Sequence, residues 1–254
     1  MIMDEVLERY RLSHEALNKN VALDEFYLRD GIKFKICAES RFPFEFFCFR
    51  SPPMVEEMDG FLSMTRDRHA LLDVGAYHGV FSLAFAASGQ NKQAVAVEPS
   101  PEAHPKLAIN IQANCHLKIR AENVALSNAF GTLDMGFEWD HAVVKQALNT
   151  ADTRAIVVQK TTGDSLCGRE SFMPDVIKID VEGHELKVLQ GLASVIEQNH
   201  PIIFLELHPL HLEKEGDSLA DIEKFIVEHD YIITSSSGVM ANVYNFERVV
   251  LKRK

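Results

Sequence analysis

The stretch Leu71-Leu-Asp-Val-Gly-Ala-Tyr-His-Gly-Val-Phe-Ser-Leu83 decides the fold of this chain. A short apolar run ends in Asp73, a tight turn runs from Gly75 to Gly79, and the apolar segment 80–87 predicts a helix. A strand, a glycine turn and a helix in this order indicate an α/β sheet that binds a small molecule at the carboxyl edge of its strands. The turn would let a ligand approach the backbone, and the first N–H groups of the helix would point at it.

The spacing of the glycines argues against a dinucleotide site. The pattern G-x-G-x-x-G has a second glycine where the pyrophosphate touches the backbone. This chain has Tyr77 two positions after Gly75, and its side chain would obstruct a pyrophosphate. A carboxylate-bearing ligand without phosphate fits better, and an oxidoreductase with a nucleotide cofactor remains a disfavoured alternative.

Length, charge and cysteine content narrow the class of protein. The 254 residues suffice for one large domain or one and a half, and a net charge of −11 disfavours general nucleic-acid binding. The cysteines form no C-x-x-C pair, which disfavours a zinc knuckle and a disulfide framework. Early acidic residues argue against a signal peptide, and no apolar run approaches the roughly 18–20 residues of a membrane span. A soluble, cytoplasmic protein is therefore expected, and the sequence does not indicate its oligomeric state.

The N-terminal part, residues 1–69, is predicted to form an α+β cap on a main domain that spans 70–254. Apolar residues recur at roughly helical spacing over 3–18, which indicates an amphipathic helix. Alternating apolar residues over 26–36, around a turn that contains glycine, predict a β-hairpin.

The second half of the cap contains an aromatic segment and a helix. Residues 42–49 are interpreted as a packing lid over the sheet, with an apolar wall of a substrate cleft as the alternative. Ser51 as N-cap and Pro52 at the first helical position predict a helix that ends near Met64.

Glu98 follows the apolar segment 93–97, the predicted second strand, about twenty residues after the glycine turn. A carboxylate at this place can accept hydrogen bonds from both hydroxyls of a ribose. A helix is then expected from Ser100 to about Asn114, with its first turn disturbed by Pro105.

The third strand is predicted over 117–126, and Asn123 or the backbone around Ala125 would contact an adenine near its end. Residues 131–162 then interrupt the alternation of strands and helices. They are predicted to form a hairpin insertion beside the site, which would help to select the substrate. Trp139 lies in its polar centre and would serve as a ring platform or fill the core.

Acidic side chains and a histidine follow the last two parallel strands of the predicted sheet. Asp180 and Glu182 come after one strand, and Glu206 and His208 come at the end of the next. A single amphipathic helix is predicted between them, over 184–198. Because parallel strands end at the same edge of a sheet, these four groups are expected to converge.

The remaining chain is predicted to complete the sheet. The pattern indicates a helix over 217–230 and two strands, 231–236 and 243–251, which form an antiparallel pair.

Four motifs along the chain resemble those of the FkbM-type family of methyltransferases, which depend on S-adenosylmethionine (SAM). The resemblance covers about residues 71–208 and implies a Rossmann-like class I methyltransferase fold. This fold has a mostly parallel seven-stranded sheet, helices on both faces and an antiparallel C-terminal strand. The motifs are Asp73-Val-Gly-Ala-x-x-Gly79, Ala96-Val-Glu-Pro99, Asn123-Val-Ala-Leu-Ser127 and Ile177-Lys-Ile-Asp-Val-Glu-Gly-x-Glu185.

The resemblance implies methyl transfer to a hydroxyl oxygen of a small molecule that is sugar-like, polyketide-like or lipid-like. It puts the first motif around the methionine part of SAM, Glu98 on its ribose and Asp180 at the reacting centre. The full set of predicted cofactor contacts is Asp73, Gly75, Ala76, Tyr77, Gly79, Glu98, Pro99, Asn123, Ala125 and Asp180.

Methyl transfer to a hydroxyl requires that the acceptor be aligned and that its proton be removed. His208 is the first choice for the base because a histidine titrates near neutrality. Asp180 or Glu206 would orient it, and Glu182 completes the predicted catalytic group. The same groups could hold Mg²⁺ or Ca²⁺, but their spacing does not require it and no metal is predicted. A non-catalytic SAM-binding or scaffold protein is the remaining alternative.

Overall fold

The computed structural model describes residues 21–138, 141–144, 156–245 and 247–254. The predicted helix over 3–18 and Trp139 lie outside the described residues. The strands are β1 (Leu23–Tyr27), β2 (Lys33–Cys37), β3 (Ala70–Val74), β4 (Gln93–Val97), β5 (Lys118–Glu122), β6 (Ala125–Leu126), β7 (Gly131–Glu138), β8 (His141–Val144), β9 (Ile156–Thr161), β10 (Val176–Ile179), β11 (Ile202–Glu206), β12 (Tyr231–Thr234) and β13 (Arg248–Arg253).

The helices lie mainly between the strands of the largest sheet. They are α1 (Arg41–Glu45), α2 (Pro52–Met64), α3 (Val80–Ala87), α4 (His104–Ala113), α5 (Gly163–Arg169), α6 (Glu185–Gly191), α7 (Ala193–Asn199), α8 (Pro209–Lys214) and α9 (Leu219–Glu228). Within the described part of the chain, none of them has the length and apolar composition needed to cross a bilayer.

The largest sheet has seven strands in the order β12-β13-β11-β10-β3-β4-β5. The central strands pair in parallel, and β13 pairs antiparallel with both of its neighbours. All five residues of β3 and all four of β10 are buried, as expected for parallel strands that are covered on both faces. The predicted class I methyltransferase fold, with its antiparallel C-terminal strand, is confirmed.

The insertion supplies three strands of a second, four-stranded sheet in the order β6-β9-β7-β8, and β6 precedes the insertion. The predicted hairpin is confirmed, because β7 pairs antiparallel with β9. The prediction of one strand over 117–126 is wrong. The chain leaves the main sheet after Glu122, the side-chain amide of Asn123 donates to the carbonyl oxygen of Glu98 at 2.9 Å, and β6 pairs with β9.

Two predicted helices have different bounds in the structure. The helix expected over 184–198 ends at Gly191 and restarts at Ala193, although its apolar stripe is buried as predicted. A Cβ at position 191 would lie 2.0 Å from the carbonyl oxygen of Ser127, so the close approach to β6 requires glycine there. The helix expected from Ser100 begins at His104, with Pro105 in its first turn, where its missing N–H costs least.

The described part of the cap shares a core with the main sheet. The predicted hairpin is confirmed by the antiparallel pairing of β1 with β2, and α2 begins at Pro52 as predicted, although the Ser51 side chain makes no capping hydrogen bond. Phe61 of α2 packs edge-on against Phe81 and Phe204, with ring centroids 5.0 Å apart in both pairs. The amide of Asn114 pairs with the backbone of Lys35, which holds α4 against the hairpin. These contacts place the described part of the cap against the face of the sheet that carries Leu71, Val176 and Phe204.

Candidate active site

A cavity of about 580 Å³ opens at the carboxyl edge of the main sheet. It is bounded by the glycine turn, by the ends of β4, β10 and β11, by the cap and by the insertion. Of the predicted site residues, Gly79, Asn123 and His208 do not line it. The predicted residues that do line it are Asp73, Gly75, Ala76, Tyr77, Glu98, Pro99, Ala125, Asp180, Glu182 and Glu206.

The glycine turn lets the ends of two neighbouring strands come together. Gly75 has a φ of +80°, and a Cβ there would lie 1.7 Å from the carbonyl oxygen of Asp180. Gly79 has a φ of +89° and precedes α3, and a Cβ there would lie 2.7 Å from Leu107. Gly75 is therefore required by its close approach to backbone as well as by its conformation, whereas Gly79 is favoured mainly by its positive φ, since the atom near it ends a leucine side chain. Tyr77, between them, has a φ of +50° and lines the cavity.

Asp73 connects the end of β3 to the first turns of α3. Its Oδ2 accepts hydrogen bonds from the hydroxyl of Ser82 at 2.6 Å and from the Ser82 N–H at 3.1 Å. Burial raises the pKa of Asp73 to about 6, although these hydrogen bonds act in the opposite direction. The Asp73 carboxylate thus stabilises the glycine turn through Ser82, and it also lines the cavity.

Glu98 lies at the end of β4, as predicted, and its carboxylate is held by the turns on both sides. Oε2 accepts the N–H of Tyr77 and Oε1 accepts the N–H of Ser100, both at 2.8 Å. Burial raises its pKa to about 7. Asn123, in contrast, donates its amide to the carbonyl oxygens of Glu98 and Pro99 at 2.9 and 3.3 Å. Asn123 therefore positions the Glu98 loop instead of facing the cavity.

Lys178 is the main site residue that the sequence analysis missed. It lies in the middle of β10, its side chain is 1% exposed, and it lines the cavity. Its Nζ is close to three carboxylates: 3.4 Å from Glu57, 3.5 Å from Asp180 and 3.7 Å from Glu206. A lysine inside an otherwise apolar, doubly covered strand is the signal that could have identified it, because such a charge needs partners.

Arg248 completes this ion network at the start of β13. Its Nε lies 3.1 Å from Glu57, and its guanidinium also contacts Glu206. Because Glu57 belongs to α2, the network connects the cap to the central strands of the sheet. The five groups of the network are largely withdrawn from water, so the two basic groups and the carboxyl groups compensate one another.

Asp180 and Glu206 form a carboxylate pair with opposite pKa shifts. Burial acts to raise the pKa of Asp180, but the charges of Lys178 and His208 outweigh it and hold the pKa below its usual range. Burial, followed by the Asp180 charge, raises the pKa of Glu206 to about 8. At neutral pH the pair therefore holds a proton on Glu206 and a negative charge on Asp180.

His208 lies next to the cavity among carboxylates. Its Nδ1 is 2.8 Å from Glu185, and its Nε2 is 3.4 Å from Glu182 and 4.0 Å from Asp180. Burial acts to lower its pKa, but the Glu185 hydrogen bond and the acidic neighbours raise it to about 9. The imidazole is therefore protonated at neutral pH. This state, and the absence of His208 from the cavity wall, disfavour the predicted role of His208 as the base.

Three of the predicted catalytic residues also have the arrangement of a cation site. Asp180, Glu182 and His208 each offer one ligand atom, and these atoms lie within 4.8 Å of one another. In the structure these three residues form ion pairs in which His208 carries the positive charge. Metal independence stays a prediction.

The aromatic segment of the cap divides between core and cavity. Phe44 is fully buried and packs against Phe26 and Phe34. Phe42 and Phe46 line the cavity instead. The predicted packing lid and its alternative, a cleft wall, are thus both present in one short segment.

The sheet order and the cavity at its carboxyl edge define a protein of the class I methyltransferase fold. The family described as methyltransferase FkbM domain matches residues 73–233, and the chain belongs to this family, as the motifs predicted.

Similar proteins agree with this assignment. The hexuronic acid methyltransferase AglP of Haloferax volcanii is 26% identical over 180 residues, which cover 68% of this chain and 72% of that protein. The methyltransferase sdnD of Sordaria araneosa is 30% identical over 156 residues, or 48% of this chain and 60% of that protein. The solved structure of methyltransferase FkbM from Methylobacillus flagellatus KT has a TM-score of 0.53 at 17% identity. That match covers 82% of this chain but only 47% of the solved one, and it shows a shared fold.

Proposed function

We propose that this protein transfers a methyl group from SAM to a hydroxyl oxygen of a small-molecule acceptor. The main support is that a single cavity joins the Gly75 turn and Glu98 to the carboxylates Asp180 and Glu206. A cofactor bound at the turn would then lie beside groups that can remove a proton. The similarity to a hexuronic acid methyltransferase adds support for a small molecule that carries hydroxyl groups.

The residues around the turn fit SAM. Each oxygen of the Glu98 carboxylate accepts one backbone N–H, which leaves lone pairs for two ribose hydroxyls. When bound, SAM supplies a methyl group on a positively charged sulfur. The carboxylates of Asp73 and Asp180 line the cavity near the turn and complement such a charge. Tyr77 stands where a pyrophosphate would approach, which again disfavours the oxidoreductase alternative.

We assign proton removal to the carboxylate pair of Asp180 and Glu206. The acceptor hydroxyl has a pKa far above neutrality, so a base beside it accelerates transfer. Asp180 lines the cavity and is ionised at neutral pH. As the pH rises through about 8, Glu206 loses its proton, and the added negative charge makes Asp180 a stronger base.

The cofactor assignment is tested by calorimetric titration with SAM, S-adenosylhomocysteine and NAD⁺ in parallel. We expect micromolar binding of the two adenosyl ligands and no heat from NAD⁺. Binding of NAD⁺ alone would instead support the oxidoreductase. If neither cofactor type binds, the proposed function is wrong.

Replacement of Glu98 by Ala should weaken SAM binding by about 10- to 100-fold, because hydrogen bonds to a charged group contribute roughly 1.5–3 kcal/mol. The matched control is Glu122→Ala, at the corresponding end of β5, whose carboxylate pairs with Arg120 and Arg169 instead of lining the cavity. Calorimetry of both variants measures the effect. Unchanged affinity in the Glu98 variant would remove the ribose assignment.

Substitutions at Asp180 and at His208 test which of the two residues acts as the base. We expect Asp180→Asn to lower the rate of methyl transfer about 10²- to 10⁴-fold, the usual contribution of a general base. His208→Gln should retain the rate within about tenfold, because its imidazole is already protonated. Transfer of a labelled methyl group, after a screen of hydroxyl acceptors, measures both rates. The reverse pattern would return the role of base to His208.

A further inference from the structure

The cap and the insertion give the cavity an apolar wall. We define the aromatic wall as Phe42, Phe46, Phe47 and Met54, which all line the cavity. Phe42 is 63% exposed and Phe46 is 36% exposed, and their rings stack with centroids 5.9 Å apart. Leu133 and Met135 of β7 add apolar surface from the insertion, which faces the same cavity.

The aromatic wall is built as a surface and not as part of the core. Its neighbour Phe44 is fully buried, and Phe47 packs edge-on against Phe81 with centroids 6.1 Å apart. The rings of Phe42 and Phe46 are thus supported from one side and exposed on the other. An apolar face of a bound molecule would remove this surface from water, which is the usual way in which such pockets gain affinity.

The charges of the cavity are mostly negative. Its acidic lining residues are Glu39, Asp73, Glu98, Asp180, Glu182 and Glu206, of which Glu206 holds a proton at neutral pH. Lys178 lines it too, but its ammonium group is already close to three carboxylates. The other lining lysine, Lys106, belongs to α4, the helix that follows Glu98. An acceptor that carried a carboxylate or phosphate would meet the ionised Asp180 at the reacting end.

We infer that the acceptor is an uncharged molecule whose hydroxyl group lies next to an apolar face, and not a sugar acid or a phosphorylated sugar. The apolar face packs on the aromatic wall while the hydroxyl reaches the carboxylate pair of Asp180 and Glu206. This inference rests on the proposed function for the identity of the reaction. The acceptor inferred for this chain therefore differs in charge from the hexuronic acid for which the relative AglP is named.

The test uses two fluorescent probes that differ in charge. N-phenyl-1-naphthylamine is neutral, and 1-anilinonaphthalene-8-sulfonate has the same rings with an added anionic group. We expect the full chain, loaded with S-adenosylhomocysteine, to bind the neutral probe at least 10-fold more tightly. Phe42→Ala should weaken this binding about 10-fold, which corresponds to the upper end of the energy of one aromatic contact.

The matched control is Phe49→Ala, since Phe49 is 53% exposed in the same segment but does not line the cavity. It should leave the affinity for the neutral probe unchanged. Displacement of that probe by phenyl glucoside, but not by phenyl glucuronide, would extend the result to acceptor-like molecules.

Three outcomes would overturn the inference. They are equal or tighter binding of the sulfonate, equal effects of the Phe42 and Phe49 variants, and sulfonate binding that is lost in Lys106→Met. The last outcome would show that Lys106 recruits anions. The probes report only on the part of the cavity that contains the aromatic wall. SAM binding without selective probe binding therefore refutes this inference and leaves the proposed function intact.

Discussion

Lys178→Met is expected to lower the free energy of unfolding by about 3–5 kcal/mol at neutral pH, the usual cost of breaking a buried ion pair. The variant keeps most of the side-chain volume but leaves Glu57, Asp180 and Glu206 without the ammonium group that lies within 3.7 Å of each. Arg248 contacts only two of them. Denaturant unfolding, followed by circular dichroism, measures the loss.

The loss should depend on pH in a defined direction. Without Lys178 the buried carboxyl groups have higher pKa values in the folded state than in the unfolded state, so the folded variant binds more protons. Its stability therefore rises as the pH falls. Glu206 already has a pKa of about 8 in the parent, which places the steepest change between pH 8 and about 5.

Two further variants test the cause of this loss. Lys33→Met removes an exposed lysine of β2 and should change the stability by less than about 0.5 kcal/mol. Glu57→Gln in the Lys178→Met background should recover part of the loss, since it removes one of the two carboxylates that then share Arg248. A loss that is the same at pH 5 and pH 8, with no recovery in the double variant, would contradict the electrostatic explanation.

Gly75→Ala is expected to abolish detectable SAM binding and to destabilise the fold by about 2–5 kcal/mol, the sum of overpacking and of a left-handed φ. The added Cβ would overlap the carbonyl oxygen of Asp180, at 1.7 Å, and would force β3 away from β10. Both the cofactor turn and the proposed base would shift. Calorimetry with SAM and denaturant unfolding measure the two effects separately.

Gly216→Ala is the matched control for this substitution. Gly216 has a φ of +82°, close to the +80° of Gly75, but a Cβ there meets nothing within 4 Å. This variant should show only the cost of the left-handed conformation, about 1–2 kcal/mol, with unchanged SAM affinity. Equal losses in the two variants would mean that backbone conformation, and not the approach to Asp180, makes glycine necessary at position 75.

Much of the part of the site that would hold the cofactor could be predicted, because the sequence patterns that indicate it are local. The glycine turn, the apolar strand before it and Glu98 after the next strand lie within thirty residues, and each follows from spacing along the chain. The order of elements then determines which strand ends share an edge, so the approach of Asp180 to Glu206 was also predictable. The proposed roles of these residues still depend on the experiments above.

The misplaced element boundaries have long-range causes. The glycine at position 191, where the helix is interrupted, is required by the carbonyl oxygen of Ser127, which is distant in sequence. The end of β5 depends on an amide of Asn123 that reaches back to Glu98. Periodicity over a short window cannot contain such contacts, because it records only which face of an element is apolar.

The protonation state of His208, the base predicted from the sequence, could not be predicted either. A histidine at a strand end titrates near neutrality unless its surroundings shift it. Here Glu185, Glu182 and Asp180 surround His208 and keep it protonated. The three carboxylates reach it from another strand end and from the helix that follows, so only the folded chain brings them together.

The fold class, the family and the turn at which a cofactor would bind follow from local sequence patterns, because periodicity and glycine spacing encode local geometry directly. Which charges compensate one another around Lys178, and which carboxyl group is ionised, depends on the packing of the folded chain. The same packing decides which phenylalanines fill the core and which face the cavity. The physical reason is that burial and electrostatic energy depend on distances between elements, and those distances exist only once the sheet, the cap and the insertion have packed together.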